Sequence, residues 1–270
     1  MNKTLKEGII LVALFAATLF LMMQINWMQV LHIKSAANTT EKKLGELIWE
    51  SVKRDNGEID IEAVNTVIDS IISTICTAND IDASKIQWHV VENSQVNAFA
   101  LPDGHLVLYS GLITSADNAE ELTGVICHEI AHIQHDHVMQ KLMKEIGFSV
   151  LLSMTTGNGG GEIIGGAVKT LSSSAFDRDN EKEADLSAVD YMQAAEIDCE
   201  PFAEFMYKIA KESGDYDKYL TWINSHPDSE DRAAYIVEYT LKTDVTSGKI
   251  ISPLTWNKGK KALDKWSNYE

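Results

Sequence analysis

The sequence predicts an α+β protein that is mostly helical, with a small antiparallel sheet and an N-terminal membrane-anchoring helix. Three observations predict it. An uncharged, strongly apolar stretch opens the chain. Apolar residues recur at helical spacing through most of the remaining sequence. Three short alternating or apolar runs around a Pro-Asp-Gly turn interrupt the helices.

The 270 residues, 45% hydrophobic and 23% charged, suit one globular domain behind an accessory segment. We therefore read residues 1–35 as a signal anchor or signal peptide and residues 36–270 as the folded domain. Net charge is −17, and residues 1–40 hold three lysines against one glutamate, so the rest carries about −19. So acidic a surface argues against a nucleic-acid partner. Cys76, Cys127 and Cys199 are too few and too scattered for a disulfide framework or a C-x-x-C metal site. Cys76 and Cys199 form a pair in an oxidising compartment or, with Cys127, three core thiols.

Lys3 and Lys6 precede an uncharged run from Gly8 to Ile33, long enough for a bilayer that needs roughly 20 residues. Lysines ahead of the span keep the N-terminus cytoplasmic and place the rest outside it. Leu44, Leu47, Ile48 and Val52 form one helical stripe, and Val64, Val67, Ile68, Ile71, Ile72 and Ile75 a second. Asp55-Asn56-Gly57 separates them. Ile86–Val91, Val96–Leu101 and Leu106–Tyr109 read as strands, the last two joined by Pro102-Asp103-Gly104. Asn118 is an N-cap with Glu121 three residues on, and one helix is expected from there to about Ile146. Residues 155–166 hold six glycines and read as a mobile loop, either a flap or a linker. Helical patterns follow at 180–194 and 201–212. Ser225-His226-Pro227-Asp228 then turns into another helix with Asp228 as N-cap.

The central helix carries His128-Glu129-Ile130-Ala131-His132. Positions i and i+4 lie about 40° apart around a helix and one turn apart along it, so both imidazoles can converge on one metal ion. Glu129, about 100° round, reaches a water on that metal without being a ligand. Zinc acidifies such a water and the glutamate takes its proton. Leu122, Val125, Ile126, Ile130 and Ile133 set this motif beside a buried face. Cys127 points away from the histidines and reads as packing.

Catalytic zinc wants three protein ligands and an open fourth position. The H-E-x-x-H-x-x-G-x-x-H layout fails, because His135 and Val138 stand where Gly and His are needed. A glutamate some twenty residues on also fails, because Leu152, Ser153 and Met154 stand there. Glu181 and Asp185 share a helical face, with Glu183 nearly opposite. Glu181 can ligate, and Asp185 can hold a ligand histidine from behind. His135 lies about 10 Å along the axis from His128, too far for the same ion. His137 reads as a core histidine. His226 is the candidate for stabilising an oxyanion or capping the metal.

Four blocks carry a resemblance: NAFALPDGHLVLYSGLI (97–113), HEIAHIQHDH (128–137), SSAFDRDNEKEAD (173–185) and SHPDSEDR (225–232). In this order they resemble the HtpX and CAAX-prenyl-endopeptidase family of membrane-associated zinc metalloproteases, in its BepA-like branch. The resemblance implies a zincin-like (gluzincin) fold. It implies one Zn2+ per chain on His128, His132 and Glu181, with Glu129 as general base and Asp185 behind a ligand. It also implies that His226 lies near the zinc and can occupy or guard its open position. The strand after Asn97 is implied as the edge to which an extended substrate adds. The family often has Arg where Asp136 stands, and no tetratricopeptide array follows.

The expected function is a zinc metalloendopeptidase that cleaves unfolded or misassembled cell-envelope proteins, held to the membrane by its N-terminal helix. The alternative is a latent, zinc-bearing envelope chaperone or assembly factor whose site is self-capped.

Overall fold

A computed structural model describes residues 33–156, 160–212, 219–227, 229–241 and 248–267. The expected anchor at 8–33 and the Asp228 N-cap lie outside these residues, save Ile33. Among the described residues no helix is long and apolar enough to cross a membrane. The chain forms two compact units, Met1–Glu41 and Lys42–Glu270, and the sheet and every helix from Glu62 onward lie in the second.

Helices α1 (Ile33–Asn56) and α2 (Glu62–Ala78) carry the two expected stripes, and Leu44, Ile48, Val64, Ile68, Ile71 and Ile75 are buried. Strands β1 (Gln87–Val91), β2 (Ala98–Ala100) and β3 (His105–Tyr109) follow, with order β1-β3-β2. The sheet is mixed, which corrects the antiparallel expectation: β2 runs antiparallel to β3 but β1 runs parallel to it. The Pro102-Asp103-Gly104 turn commits one edge of β3 to β2, so β1 can join only at the other edge. A period-2 pattern shows that a segment is a strand, not which way its neighbour runs. Gly104 sits at φ +72°, and a Cβ there would lie 1.9 Å from the Lys85 carbonyl oxygen. This tight corner takes glycine alone.

After the short helix α3 (Ser110–Ser115), α4 (Ala119–Gln134) runs through the middle of the unit. The Asn118 side chain accepts from the Glu121 amide at 2.8 Å, and the Glu121 carboxylate reaches back to the Asp117 amide at 2.9 Å. Every residue from Ala119 to His132 is buried. On one side, Gly124 lets the Phe202 ring come within 2.4 Å of where a Cβ would stand.

The single helix expected from 118 to 146 is two. Asp136 adopts the left-handed conformation (φ 58°) and α5 (His137–Glu145) leaves in a new direction. Aspartate tolerates this region better than most residues. Val138 and Leu142 continue the apolar rhythm of Ile130 and Ile133 past the break and hide it in the sequence. α6 (Phe148–Thr155) and α7 (Gly161–Ser173) come next. The glycine stretch is thus helical from Gly161 onward, which corrects the mobile-loop expectation for 161–166, while 157–159 lie outside the described residues. Ala167 and Leu171 are buried, with Ile163, Ile164 and Val168 packed against the same cluster. This stripe outweighs a glycine penalty of about 1 kcal/mol per residue. Then come α8 (Arg178–Ala194), α9 (Glu200–Glu212), α10 (Leu220–Ser225), α11 (Ser229–Thr240) and α12 (Pro253–Ser267). α8 and α9 flank α4, and β2 crosses it. Cys76, Cys127 and Cys199 are free and buried.

Candidate metal centre

The site forms where α4, α8 and the α10–α11 turn meet. His128, His132, Glu181 and His226 each offer one ligand atom, and these atoms all lie within 4.8 Å of one another. His128 and His132 face each other through their Nε2 atoms at 3.0 Å. Glu181 comes from the first turn of α8, with Oε2 3.7 Å from His128 Nε2 and Oε1 3.5 Å from His132 Nε2. His226 sits at the end of α10, with its Nδ1 2.9 Å from Glu181 Oε1 and 3.3 Å from His128 Nε2. All four are buried.

Behind this set lies a buried ionic frame. Asp185, one turn after Glu181, accepts from His128 Nδ1 at 2.8 Å. Arg232 of α11 grips Asp185 in two places, Nε to Oδ2 at 2.8 Å and Nη2 to Oδ1 at 2.7 Å. Its Nη1 lies 2.8 Å from Glu181 Oε2. The Tyr235 hydroxyl also donates to Asp185 Oδ2. Burial alone would raise the carboxyl pKa values, but His226 and Arg232 hold Glu181 well below the usual carboxylate range, and Arg232 and His128 hold Asp185 low.

Glu129 lies on the opposite wall. Its Oε2 accepts from the Ala100 amide of β2 at 2.9 Å, and its Oε1 stands 3.4 Å from His226 Nε2. Neither Glu129 Oε1 nor His226 Nε2 has a hydrogen-bond partner. Burial, seconded by the charge of Glu181, pushes the Glu129 carboxyl well above its ordinary value. The Ala100 contact follows from register. Tyr109 donates to the Asn97 carbonyl and Leu101 to that of His105, so positions 97 and 101 face β3. Alternation then turns Ala98 and Ala100 outward from the sheet, toward α4.

His132 is backed differently. Its Nδ1 lies 3.0 Å from Nδ1 of His137, which the break at Asp136 brings round onto it. Phe176 stacks on its ring at 4.1 Å between centroids, and Lys141 lies over Phe176 at 3.7 Å while donating to the Ser174 carbonyl. His137 is therefore buried, as a core histidine would be, but its partner is His132. His135 pairs with Ser187 Oγ at 2.9 Å, away from the cluster.

The residues fit a bound cation. With its Nδ1–H committed to Asp185, His128 presents a lone pair at Nε2. That lone pair, the ionised Glu181 and the His132 and His226 nitrogens converge within 4.8 Å of one another. His128 and His132 meet Nε2 to Nε2 at 3.0 Å, and a cation between them would satisfy both lone pairs at once. A cavity of about 200 Å³ lined by Glu181, Arg232 and Tyr235 lies beside the cluster. A groove of about 760 Å³ between α9 and α11 includes none of these residues.

The sequence-expected site residues His128, Glu129, His132, Glu181, Asp185 and His226 are brought together. Arg232 was missed, although it stands in the SHPDSEDR block. The available signal was its i, i+3 pairing with Tyr235 on a helix that follows directly from His226.

Residues 62–240 match the sequence profile of peptidase family M48. The chain is 28% identical over 165 residues to a beta-barrel assembly-enhancing protease of Yersinia pestis, covering 57% of this chain and 34% of that protein. It is 26% identical over 204 residues to a putative beta-barrel assembly-enhancing protease of Vibrio cholerae, covering 70% of this chain and 41% of that one. To the metalloprotease LoiP of Escherichia coli it is 26% identical over 211 residues, 74% of this chain and 82% of LoiP. The chain thus spans less than half the length of the first two relatives. The matched stretch holds the H-E-x-x-H helix, Glu181, Asp185, His226 and Arg232 and covers more than half the sequence, and the chain belongs to peptidase family M48.

Proposed function

We propose that this chain is a zinc-dependent endopeptidase cleaving unfolded or misassembled proteins of the cell envelope, anchored by its N-terminal segment with the domain outside the cytoplasm. The observation that carries the reading is the convergence of His128, His132 and Glu181 beside a Glu129 carboxyl with one oxygen unpartnered. Two imidazoles and a carboxylate suit zinc better than a harder cation. Relatives named for beta-barrel assembly, and the apolar run at 8–33, support the envelope setting.

Zinc held there supplies a Lewis acid for the scissile carbonyl and lowers the pKa of water. The chain's residues do the rest. Asp185 keeps His128 in the tautomer whose Nε2 is free, and Arg232 keeps Glu181 ionised and aimed. The Ala100 amide fixes one Glu129 oxygen and leaves the other to take a proton from the attacking water and return it to the leaving amine. The raised affinity of Glu129 for protons suits a group that must both accept and donate near neutral pH. β2 is an outer strand of the sheet, the place for an extended substrate to align by backbone hydrogen bonds.

The test is cleavage of casein by the purified chain, with and without a chelator, alongside Glu129→Gln. Chelation should abolish cleavage and Glu129→Gln should lower it by about 10²–10⁴-fold. Undiminished cleavage by zinc-loaded Glu129→Gln would overturn the reading.

One observation favours a second reading, latency. The whole donor set is buried, His226 included, and β2 is covered: Ala98, Phe99 and Ala100 are at most 2% exposed. α7 packs on β2, and Asn97 donates to the Ser172 carbonyl at 3.0 Å. On this reading the chain is an assembly factor whose site His226 caps. His226→Ala then raises cleavage, whereas loss of an oxyanion donor lowers it.

A further inference from the structure

The two histidines of the H-E-x-x-H helix are backed by unlike groups. His128 donates from Nδ1 to a carboxylate, which accepts only, so its tautomer is set outright. His132 meets another imidazole, and a contact between two Nδ1 atoms at 3.0 Å runs either way. If His132 donates, its Nε2 carries a lone pair. If His137 donates, the His132 proton moves to Nε2 and that nitrogen is lost as a ligand.

A third group decides the direction. His137 Nε2 lies 3.3 Å from Oε2 of Glu183. A carboxylate accepts, so this nitrogen carries the proton. In a neutral imidazole the other nitrogen is then an acceptor, and His137 Nδ1 receives the His132 Nδ1–H. Glu183 points nearly opposite Glu181 on α8, and the break at Asp136 carries His137 round to meet it. The glutamate is more than half exposed, while His137 and His132 are buried. The row thus runs from the protein surface to the metal-facing nitrogen.

We propose that Glu183 and His137 are positioning residues for His132: a carboxylate–imidazole–imidazole relay that fixes the tautomer and ring orientation of one metal-facing histidine. The relay rests on the reading of His132 as a ligand. It does for His132 what Asp185 does for His128, with a second imidazole inserted. Metal-site outer partners of this kind are worth about 10–100-fold in affinity.

The experiment measures zinc affinity by competition with a chromophoric chelator, which needs no substrate. The variants are His137→Phe, which keeps a ring in the buried place, and Glu183→Ala, a surface change that leaves the core untouched. His137→Phe should weaken zinc binding about 10–100-fold and Glu183→Ala about tenfold. His135→Ala, which removes a histidine 3.6 Å from the same glutamate, should stay within about twofold of wild type. Two-bond ¹H–¹⁵N spectra of the metal-free chain should find His132 protonated on Nδ1, and largely on Nε2 in His137→Phe. His132→Ala separates the two readings. If it abolishes zinc binding while His137→Phe and Glu183→Ala bind like wild type, the relay is wrong and the ligand reading stands. If His132→Ala binds like wild type, the ligand reading fails and the relay falls with it.

Discussion

Two of the histidine pairs that touch in this molecule are built to opposite rules. In the first, His89 Nε2 lies 2.9 Å from His105 Nδ1, and Glu58 lies 3.1 Å from His89 Nδ1. Trp49 stacks on His89 at 3.7 Å. Each contact there can match a donor with an acceptor. Glu58 accepts from His89 Nδ1–H, and His89 Nε2 accepts from His105 Nδ1–H. In the second pair, His128 and His132 meet Nε2 to Nε2, with both Nδ1 atoms engaged by Asp185 and His137. Two histidines at the same separation make a hydrogen bond in one place and, on the proposed reading, a cation's cradle in the other. The lesson is that the partners of the far nitrogens, not proximity, separate a structural pair from a ligand pair.

The largest expected effect breaks this comparison most directly. His132→Ala should remove the bound metal, and His89→Ala should leave about one equivalent in place, as read by metal analysis after gel filtration. Metal loss in His89→Ala with the fold intact would make the first pair a binding site too.

The next effect concerns the frame behind the proposed metal site. Arg232 is the buried cation that faces Glu181 and Asp185 together. Its removal leaves two buried carboxylates without their counter-charge, which costs about 3–5 kcal/mol when one partner of a buried pair is deleted. Arg232→Met should therefore lower the urea midpoint of the metal-free chain strongly. Arg232→Lys should recover part of the loss, since an ammonium restores the charge but not the two-pronged grip. A midpoint unchanged in Arg232→Met would show that the frame contributes no net stability.

Much of this arrangement was legible in the sequence, and the rest was hidden for identifiable reasons. The i, i+4 spacing within His128–His132 and between Glu181 and Asp185 assigns shared faces from residue numbers alone. The stripes of α1, α2 and α4 are equally plain, because burial of an apolar face dominates helix formation. The direction of β1 was not legible, since alternation carries no sign. The helix break at Asp136 was masked by Val138 and Leu142, which keep apolar rhythm across it. That break is what turns His137 from an apparent core residue into a partner of His132. α7 was missed because glycine propensity was weighed without the tertiary contacts of Ala167 and Leu171, which decide the matter. Arg232 was missed because a lone arginine declares its role only when the carboxylates it faces are in place.

The smallest effect sharpens the comparison from the side of the structural pair. His105 is held down to about 4 from an ordinary 6.5, first by burial and then by the neighbouring His89, with Asp103 opposing. His89 is lowered by burial and by Lys53, against the pull of Glu58. Between pH 6.5 and about 4 the unfolded chain therefore binds a proton at position 105 that the folded chain refuses. Stability tied to this residue is complete above pH 6.5, falls as pH drops through that window, and levels off below about pH 4. His105→Asn keeps a donor toward His89 and removes the titration. Between pH 7 and pH 4 the wild type should lose about 2 kcal/mol more than the variant, read as the difference in urea midpoints. Glu129, raised by burial, titrates with the opposite sign, but it is present in both proteins and cancels in the difference. Parallel curves for the two would mean that the His89–His105 pair accepts a proton in the folded state, and the donor-to-acceptor order assigned to it would then be wrong.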